Sequence, residues 1–475
     1  MSFRKLSRRE LLKGAGLAAV GTLLAACAPK TVEKVVKETV PVEQTVVVTE
    51  KETVIAPEHE KVTISWWSAF TTDTCKKVFP EVVKEFEDMY PYITVDFEIS
   101  GGPPGGGDFM QVLLARIAAG NPPDTATLWS TPVQYAARGS LLAMDDFMAQ
   151  AKWARQGSFF EGPIGSCQWR GKTYGLPASA SDSAMFINTD KLKAKNLSIK
   201  REDMPKTWDD LKALSAEFVV YKGGDLKEIG FAPWTGISWE FPLWSALNGG
   251  VVYDPTQEQY FLNSDQNIEV FDYWLKWLEE QYKGDVEKFN AAGNWSGTYP
   301  DSGFAMQLAA MASDGFWAIP DAPIKVPFEV FDYPVGPSGK GTATAWWPNW
   351  WAMPKGCAHP PEAFLLCEWF ATKGWERWLT YGAADLSAWK DFPKDIINVQ
   401  MVDLLGKDRT LELTQYFVDY LAKGCPMWNS PVEDFATTTL TSALDETLHK
   451  TKTPKQALDE AQQLCTSKLQ DALKG

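Results

Sequence analysis

Twenty-two tryptophans among 475 residues, together with 25 Phe and 14 Tyr, make aromatic faces the first place to look for chemistry. An indole offers a broad apolar surface at small entropic cost and a single N–H donor at its edge. Two positions stand out from the local pattern alone, the pair Trp66-Trp67 and the dipeptide Trp129-Ser130, because each ends a short apolar run. Other reactive groups are scarce or badly spaced. His59, His359 and His449 are the only histidines, and none has the spacing of a metal site or the setting of a nucleophilic triad. The glycine-rich stretch 101–107 lacks the Lys-Ser/Thr of a phosphate-binding loop. With 46 basic against 61 acidic residues and a net charge of −15, the chain is poorly suited to hold phosphate backbones. No cofactor, no metal and no nucleic-acid partner is expected.

The elements that must position these side chains read as an α/β layout. Val62 and Ile64 alternate with polar neighbours in a strand over 61–65 that ends at Trp66-Trp67. Apolar residues at Val78, Val82, Val83 and Phe86 have helical spacing, and Tyr90-Pro91 stops that helix. A strand over 93–99, a helix over 109–119 closed by Gly120-Asn121-Pro122-Pro123, and a strand over 125–128 follow. Strand, helix, strand, helix, strand implies a parallel sheet, and ligands gather at the carboxyl ends of such strands. Further helices are expected over 208–219 behind the N-cap Thr207, over 268–280, over 361–370 and over 456–473. Trp274 and Trp277, three apart on one of these helices, read as core, as do Trp369, Trp375 and Trp378.

The N-terminus reads as an address. Basic residues Arg4, Lys5, Arg8, Arg9 and Lys13 precede an apolar run to Ala26 that is too short to span a bilayer. The run 7–13 resembles a twin-arginine export signal, with Leu11 where Phe is commoner, and Leu24-Ala25-Ala26-Cys27 resembles a lipobox. Residues 1–26 are therefore expected to be a signal peptide and Cys27 a lipidated first residue. Residues 27–60, rich in Val, Thr, Glu and Lys and nearly free of aromatics, read as an extended tether. The six cysteines beyond Cys27 allow up to three disulfides or none.

Several stretches in order resemble the extracellular solute-binding proteins of family 1, the maltose-binding-like subunits of ABC importers. They are Tyr90-Pro91-Tyr92-Ile93-Thr94-Val95 behind Phe86, Ala119-Gly120-Asn121-Pro122-Pro123-Asp124, Gly171-Lys172-Thr173-Tyr174-Gly175-Leu176-Pro177, Phe186-Ile187-Asn188-Thr189-Asp190, Pro205-Lys206-Thr207-Trp208-Asp209-Asp210-Leu211, Gly315-Phe316-Trp317 and Met353-Pro354-Lys355-Gly356. No single piece is specific, but the ordered set spans about residues 61–470.

The resemblance implies a two-lobed, type II periplasmic-binding-protein-like α/β fold, with the ligand cleft between lobes joined by hinge strands. It places the N-lobe at 61–178 plus 318–353, the C-lobe at 179–317 plus 354–475, and crossings near 176–186, 311–319 and 351–356. The implied function is capture of a carbohydrate, an oligosaccharide or glycoside, by a monomeric lipoprotein outside the cytoplasm, on the outer face of the cell membrane or in a periplasm. Delivery to an ABC permease would follow, without catalysis. A sugar ring has an apolar C–H face that Trp covers and a rim of hydroxyls that carboxylates bind. The expected ligand-binding residues are Trp66, Trp67, Trp129 and Ser130, then Trp317 at the family's stacking position and Asp182 at its carboxylate position. Trp234, Trp239 and Glu240 would form an opposing wall. Trp347 and Trp350 lie in the run Trp346-Trp347-Pro348-Asn349-Trp350-Trp351, where the family more often shows glycines. The rival readings are a secreted glycan-cleaving hydrolase or lyase and a binder of polyamines or another non-sugar solute.

Overall fold

Val62, Ile64 and Trp66 turn toward one side of strand Val62–Trp67, which runs at the middle of a sheet rather than along its edge. In this computed structural model residues 31–35, 49–53, 59–99, 109–321, 323–425, 427 and 429–474 are described. The chain separates into two units, Met1–Lys61 and Val62–Gly475. Cys27, the expected signal peptide and the glycine-rich stretch 101–107 lie outside the described residues. In the first unit, Thr31–Val35 and Thr49–Thr53 pair antiparallel, with Thr31 opposite Thr53 and Val35 opposite Thr49. The stretch read as an extended tether therefore includes one antiparallel pairing. β-Branched Val and Thr favour a pleated pairing even where bulky core residues are missing.

The larger unit holds two five-stranded sheets. The first runs in the order Ile93–Glu98, Val62–Trp67, Thr125–Leu128, Trp350–Ala352, Leu176–Pro177. Its first three strands are parallel, and the last two run antiparallel to their neighbours. Helix Asp73–Met89 begins at Thr72, whose hydroxyl accepts the Cys75 N–H at 3.2 Å, and buries Val78, Phe79, Val82, Val83 and Phe86. Successive strand residues face opposite sides. Ile64, Trp66, Leu176 and Trp351 therefore join a core under helices Asp73–Met89 and Pro360–Ala371, while Ala126, Leu128, Trp350 and Ala352 join a second core with Leu113 and Tyr135.

The second sheet is built on Ser181–Asn188, buried at every residue. Met311–Gly315 pairs with it on one side, and Phe328–Phe331 followed by Thr344–Trp347 on the other. Gly424–Cys425 adds to the outer edge of Thr344–Trp347. Helices Trp208–Ala216, Ile237–Leu247, Asp265–Tyr282, Lys407–Tyr420, Glu433–Leu448 and Pro454–Lys474 feed one continuous core around this sheet. Trp208, Trp274 and Trp277 are buried in it.

The lobes are joined by residues 178–180, which leave the first sheet for the second, and by Pro348-Asn349, which return. These connectors are cross-linked: Ala178 donates its N–H to the Asn349 carbonyl at 2.8 Å, and Ser179 Oγ donates to the Trp347 carbonyl while accepting the Asn349 N–H. A third segment, residues 385–388, lies antiparallel beside them, held by Ala180 N–H to Leu386 O and Ala388 N–H to Ala178 O.

This strand pairing differs from the expected lobe bounds. Phe328–Phe331 and Thr344–Trp347 belong to the second sheet, not to an N-lobe segment 318–353, and Pro360–Ala371 with Trp375–Tyr381 packs into the first lobe's core. Near residues 311–319 the chain touches the first lobe through Trp317 and returns instead of crossing. Which sheet accepts a strand depends on partners far away in sequence, which local periodicity does not record.

Candidate functional site

A cleft of 530 Å³ opens between the two sheets, with walls from both lobes and a floor made by the connector. The first lobe supplies Phe70 and Thr72 from the turn after Val62–Trp67, Trp129 from the end of Thr125–Leu128, and Trp375, Trp378 and Asp385. The connector contributes Trp347, Pro348, Asn349 and Trp350. The second lobe contributes Tyr299, Asp314, Trp317, Asp321 and Trp346, with Glu433 and Asp434 from the first turn of helix Glu433–Leu448.

The indoles are fixed by their own donors. Trp129 is 61% exposed, yet its Nε1 donates to the Ala69 carbonyl at 2.6 Å and its ring meets Phe70 edge-on at 4.4 Å. Trp350 Nε1 donates to Ser166 Oγ at 2.8 Å, Trp375 Nε1 to the Asp385 carbonyl at 3.0 Å, and Trp378 Nε1 to Asp385 Oδ2 at 2.9 Å. Trp317 stands perpendicular to Trp347 with ring centres 6.1 Å apart. A Cβ at Gly315 would sit 2.2 Å from the Trp317 ring, so only glycine lets that indole fold against the strand end. Trp346 is gripped between Gly162 and Gly424 in the same way.

The carboxylates sit close to these rings. Asp314 accepts from the Thr298 N–H at 2.8 Å, from Thr298 Oγ1 at 2.7 Å and from the Gly315 N–H at 2.8 Å, and burial still raises it above the usual carboxylate range. Asp385 is pushed up to about 6, again mainly by burial. Asp321 Oδ2 accepts from Tyr299 Oη at 3.1 Å, while Oδ1 is buried with no hydrogen-bond partner among the described residues. Across the mouth, Glu433 takes the Thr131 N–H at 3.2 Å and Asp434 takes Ser130 Oγ at 3.1 Å and Gln134 Nε2 at 3.2 Å. Burial raises Glu433 to about 8, with Asp434 adding to the shift.

Of the residues singled out from sequence, the cleft brings together Trp129, Trp317, Trp347 and Trp350. Ser130 is at its rim, facing Asp434. The other placements need correction. Trp66, at 0% exposure, packs among Phe79, Phe97, Trp351 and Phe370, because the strand continues through Trp67 and aims it at the core. Trp67 points to the opposite face, where the Arg116 guanidinium lies over its ring. Asp182 is enclosed in strand Ser181–Asn188 opposite Trp346, with neither oxygen partnered among the described residues, and burial holds it well above the carboxylate range. Trp234 is buried against Tyr282 and Phe289 and lines a separate hollow with Trp295. Glu240 is buried, taking hydrogen bonds from Ser313 Oγ and Trp244 Nε1, and does not reach the cleft. The backbone of Trp239 lies in helix Ile237–Leu247, but its side chain is not described.

Sequence reasoning missed Asp314, Asp321, Asp385, Tyr299, Glu433 and Asp434, none of which carries a local signal. Trp375 and Trp378, read as core, are buried yet turn ring surface to the cleft. All six cysteines beyond Cys27 are free, and Cys75 lines the cleft with its thiol pushed up to about 12 by burial.

Comparison with known proteins places this geometry. The profile of bacterial extracellular solute-binding proteins matches residues 72–377. A protein of Brucella abortus (strain 2308), named as a binding protein, is 29% identical over 194 residues, 39% of this chain and only 42% of that relative's length. Among solved structures, CpMnBP1 with mannobiose bound superposes at a TM-score of 0.69 with 22% identity, covering 85% of this chain and 99% of that one. The ABC substrate-binding protein Lmo0181 of Listeria monocytogenes, in complex with cycloalternan, gives 0.67 with 21% identity over 85% and 98% of the two chains. The maltose/maltodextrin-binding domain MalE of Bdellovibrio bacteriovorus, bound to maltotriose, gives 0.64 with 18% identity over 86% and 100%. At such identities these likenesses describe the fold, a pair of lobes around a cleft. Taken with the profile match over most of the folded region, they identify the chain as a member of the bacterial extracellular solute-binding protein family.

Proposed function

We propose that the chain is the substrate-binding component of an ABC importer and that its cleft captures a carbohydrate, an oligosaccharide or glycoside. The observation that carries this reading is the convergence of indole faces from both lobes and the connector beside carboxylates that accept hydroxyl donors. A ligand touching both walls makes its full set of contacts only when the lobes are shut, so it favours the closed form. A permease that recognises closure then receives the solute unchanged. Similar structures bind mannobiose, cycloalternan and maltotriose, which supports the carbohydrate class.

Export by the twin-arginine route and lipid anchoring through Cys27 complete the proposal, with a monomer acting on the outer face of the membrane. Mass labelling of the cell-derived protein checks the anchor: a diacylglyceryl adduct at Cys27 is expected, and an intact N-terminus through Cys27 rejects it. The binding role is tested by thermal shift and tryptophan quenching against a panel of mono- and oligosaccharides. Saturable shifts without released products support capture. Progressive appearance of shorter glycans would instead make the protein a hydrolase or lyase.

A further inference from the structure

One indole of the cleft is held from both lobes. Trp346 stands in strand Thr344–Trp347 of the second sheet, opposite Asp182, and its Nε1 donates to the Leu421 carbonyl at 3.3 Å. The five-membered ring lies on Gly424 of the adjoining edge strand, where a methyl would collide with Nε1, Cε2 and Cδ1. The six-membered ring reaches across to the first lobe and lies on Gly162, where a methyl would collide with Cζ3, Cε3 and Cη2. The same side chain lines the cleft.

Gly162 sits on a firmly rooted part of the first lobe. Ahead of helix Glu161–Gly165, the Phe160 N–H donates to the Ala388 carbonyl at 3.0 Å. Behind it, Thr131 Oγ1 donates to the Ser166 carbonyl at 2.7 Å, and within it Ile164 packs on both cores of that lobe. The helix is thus fixed to one lobe and the indole to the other. A ring pressed on bare backbone is stiff against further approach, because atomic overlap is repelled steeply, yet dispersion gives it only weak resistance to separation. Such a contact limits travel rather than driving it. Its place adds leverage: Trp346 is two residues before Pro348, where the chain passes between lobes, and a small change of thickness beside a pivot becomes a larger gap at the mouth.

We propose that Trp346 is the stop against which the lobes shut: seated on Gly162, it sets the closed angle and with it the thickness of solute that fits between the walls. It is in this sense a positioning residue. The inference rests on capture by closure, the function proposed for the cleft, and adds what limits that closure.

Two measurements on the full chain test it, small-angle X-ray scattering for lobe separation and calorimetric titration with mannobiose, mannotriose and maltotriose. Gly162→Ala thickens the socket and is expected to enlarge the radius of gyration, with and without sugar. It is also expected to weaken every sugar that the unmodified chain binds by about tenfold, since the obstacle acts on closure and not on one contact. Trp346→Leu thins the stop and is expected to shrink the radius, which supplies the readout should Gly162→Ala fail to fold. In the Trp346→Leu background the added methyl is expected to change neither quantity, a rescue that ties the effect to the ring. A merely structural seat would lower the melting temperature of Gly162→Ala and leave radius and affinities as they were, and that result overturns the proposal. A loss confined to one sugar, or one that persists without the ring, overturns it as well. If none of these sugars binds the unmodified chain, the carbohydrate reading loses its support, and the radius comparison alone upholds or overturns the stop.

Discussion

Single side chains in the cleft divide into those with little packing of their own and those that also hold the fold. Trp129 belongs to the first group, since most of its surface is open and its packing is limited to Phe70 and the Ala69 carbonyl. Trp129→Ala is expected to weaken ligand binding by about tenfold while costing the free protein no more than about 1 kcal/mol. Titration and denaturant unfolding of one preparation measure both. Trp317 belongs to the second group, because it leans on Trp347 and fills space above Gly315. Gly315→Ala is expected to push that ring out of place and reduce affinity as strongly as Trp317→Ala, although no ligand-facing atom is removed. Unchanged binding in the glycine variant would show that the indole has another seat. At this scale the end of strand Thr125–Leu128 put Trp129 at the cleft, as the local pattern suggested. That pattern misled at Trp66 and Trp67, because a strand two residues longer than its alternating run sends the same side chains into the two faces of the sheet. Asp321 and Asp385 were illegible, since their meaning comes from neighbours on other elements.

Elements were legible where punctuation was strong. Thr125–Leu128 and Phe109–Ala118 fall within a residue of expectation, bounded as they are by Gly120-Asn121-Pro122-Pro123. Trp208–Ala216 opens on a full capping box, Thr207 Oγ1 accepting the Asp210 N–H at 3.2 Å and Asp210 Oδ2 accepting the Thr207 N–H at 3.1 Å. Thr207→Ala is expected to cost about 1 kcal/mol in denaturant unfolding and to leave binding unchanged. Helix Glu433–Leu448 does something no periodicity foretells: its first turn reaches the other lobe at Thr131, Ser130 and Gln134. These contacts bridge the two lobes, and any of them that break on opening would add to the closure energy within every ligand's apparent affinity. Ser130→Ala removes one of them without touching the cleft lining and is expected to lower affinity about two- to tenfold, the range for one lost hydrogen bond. An equal drop for every ligand on the panel would mark it as a closure effect; a ligand-specific drop would put Ser130 in direct contact with solute.

Over the whole molecule, the assignment of strands to lobes was the least legible feature, because Ser181–Asn188 recruits partners from beyond residue 310. The distribution of buried acids gives a molecular-scale prediction. Burial raises Asp385 to about 6, Glu240 to about 7 and Glu433 to about 8. A carboxyl whose pKa is higher folded than unfolded holds its proton more tightly in the native state. Its stabilisation is complete below the unfolded value, near 4, and is lost as pH rises through the folded value. The ligand-free protein is therefore expected to melt highest near about pH 5 and lower steadily toward about pH 8.5, as scanning calorimetry will record. A flat profile across that window would mean these acids find compensating partners on folding.

The connector carries one more implication. Trp347 and Trp350 flank the two residues that pass between lobes, and the Ser179 hydroxyl ties that turn to the neighbouring strand. Under the proposed function, the segment on which lobe movement turns is also the one that presents two of the cleft's indoles. On that reading, a substitution in this turn would alter selectivity and lobe movement together, so neither could be changed there without the other.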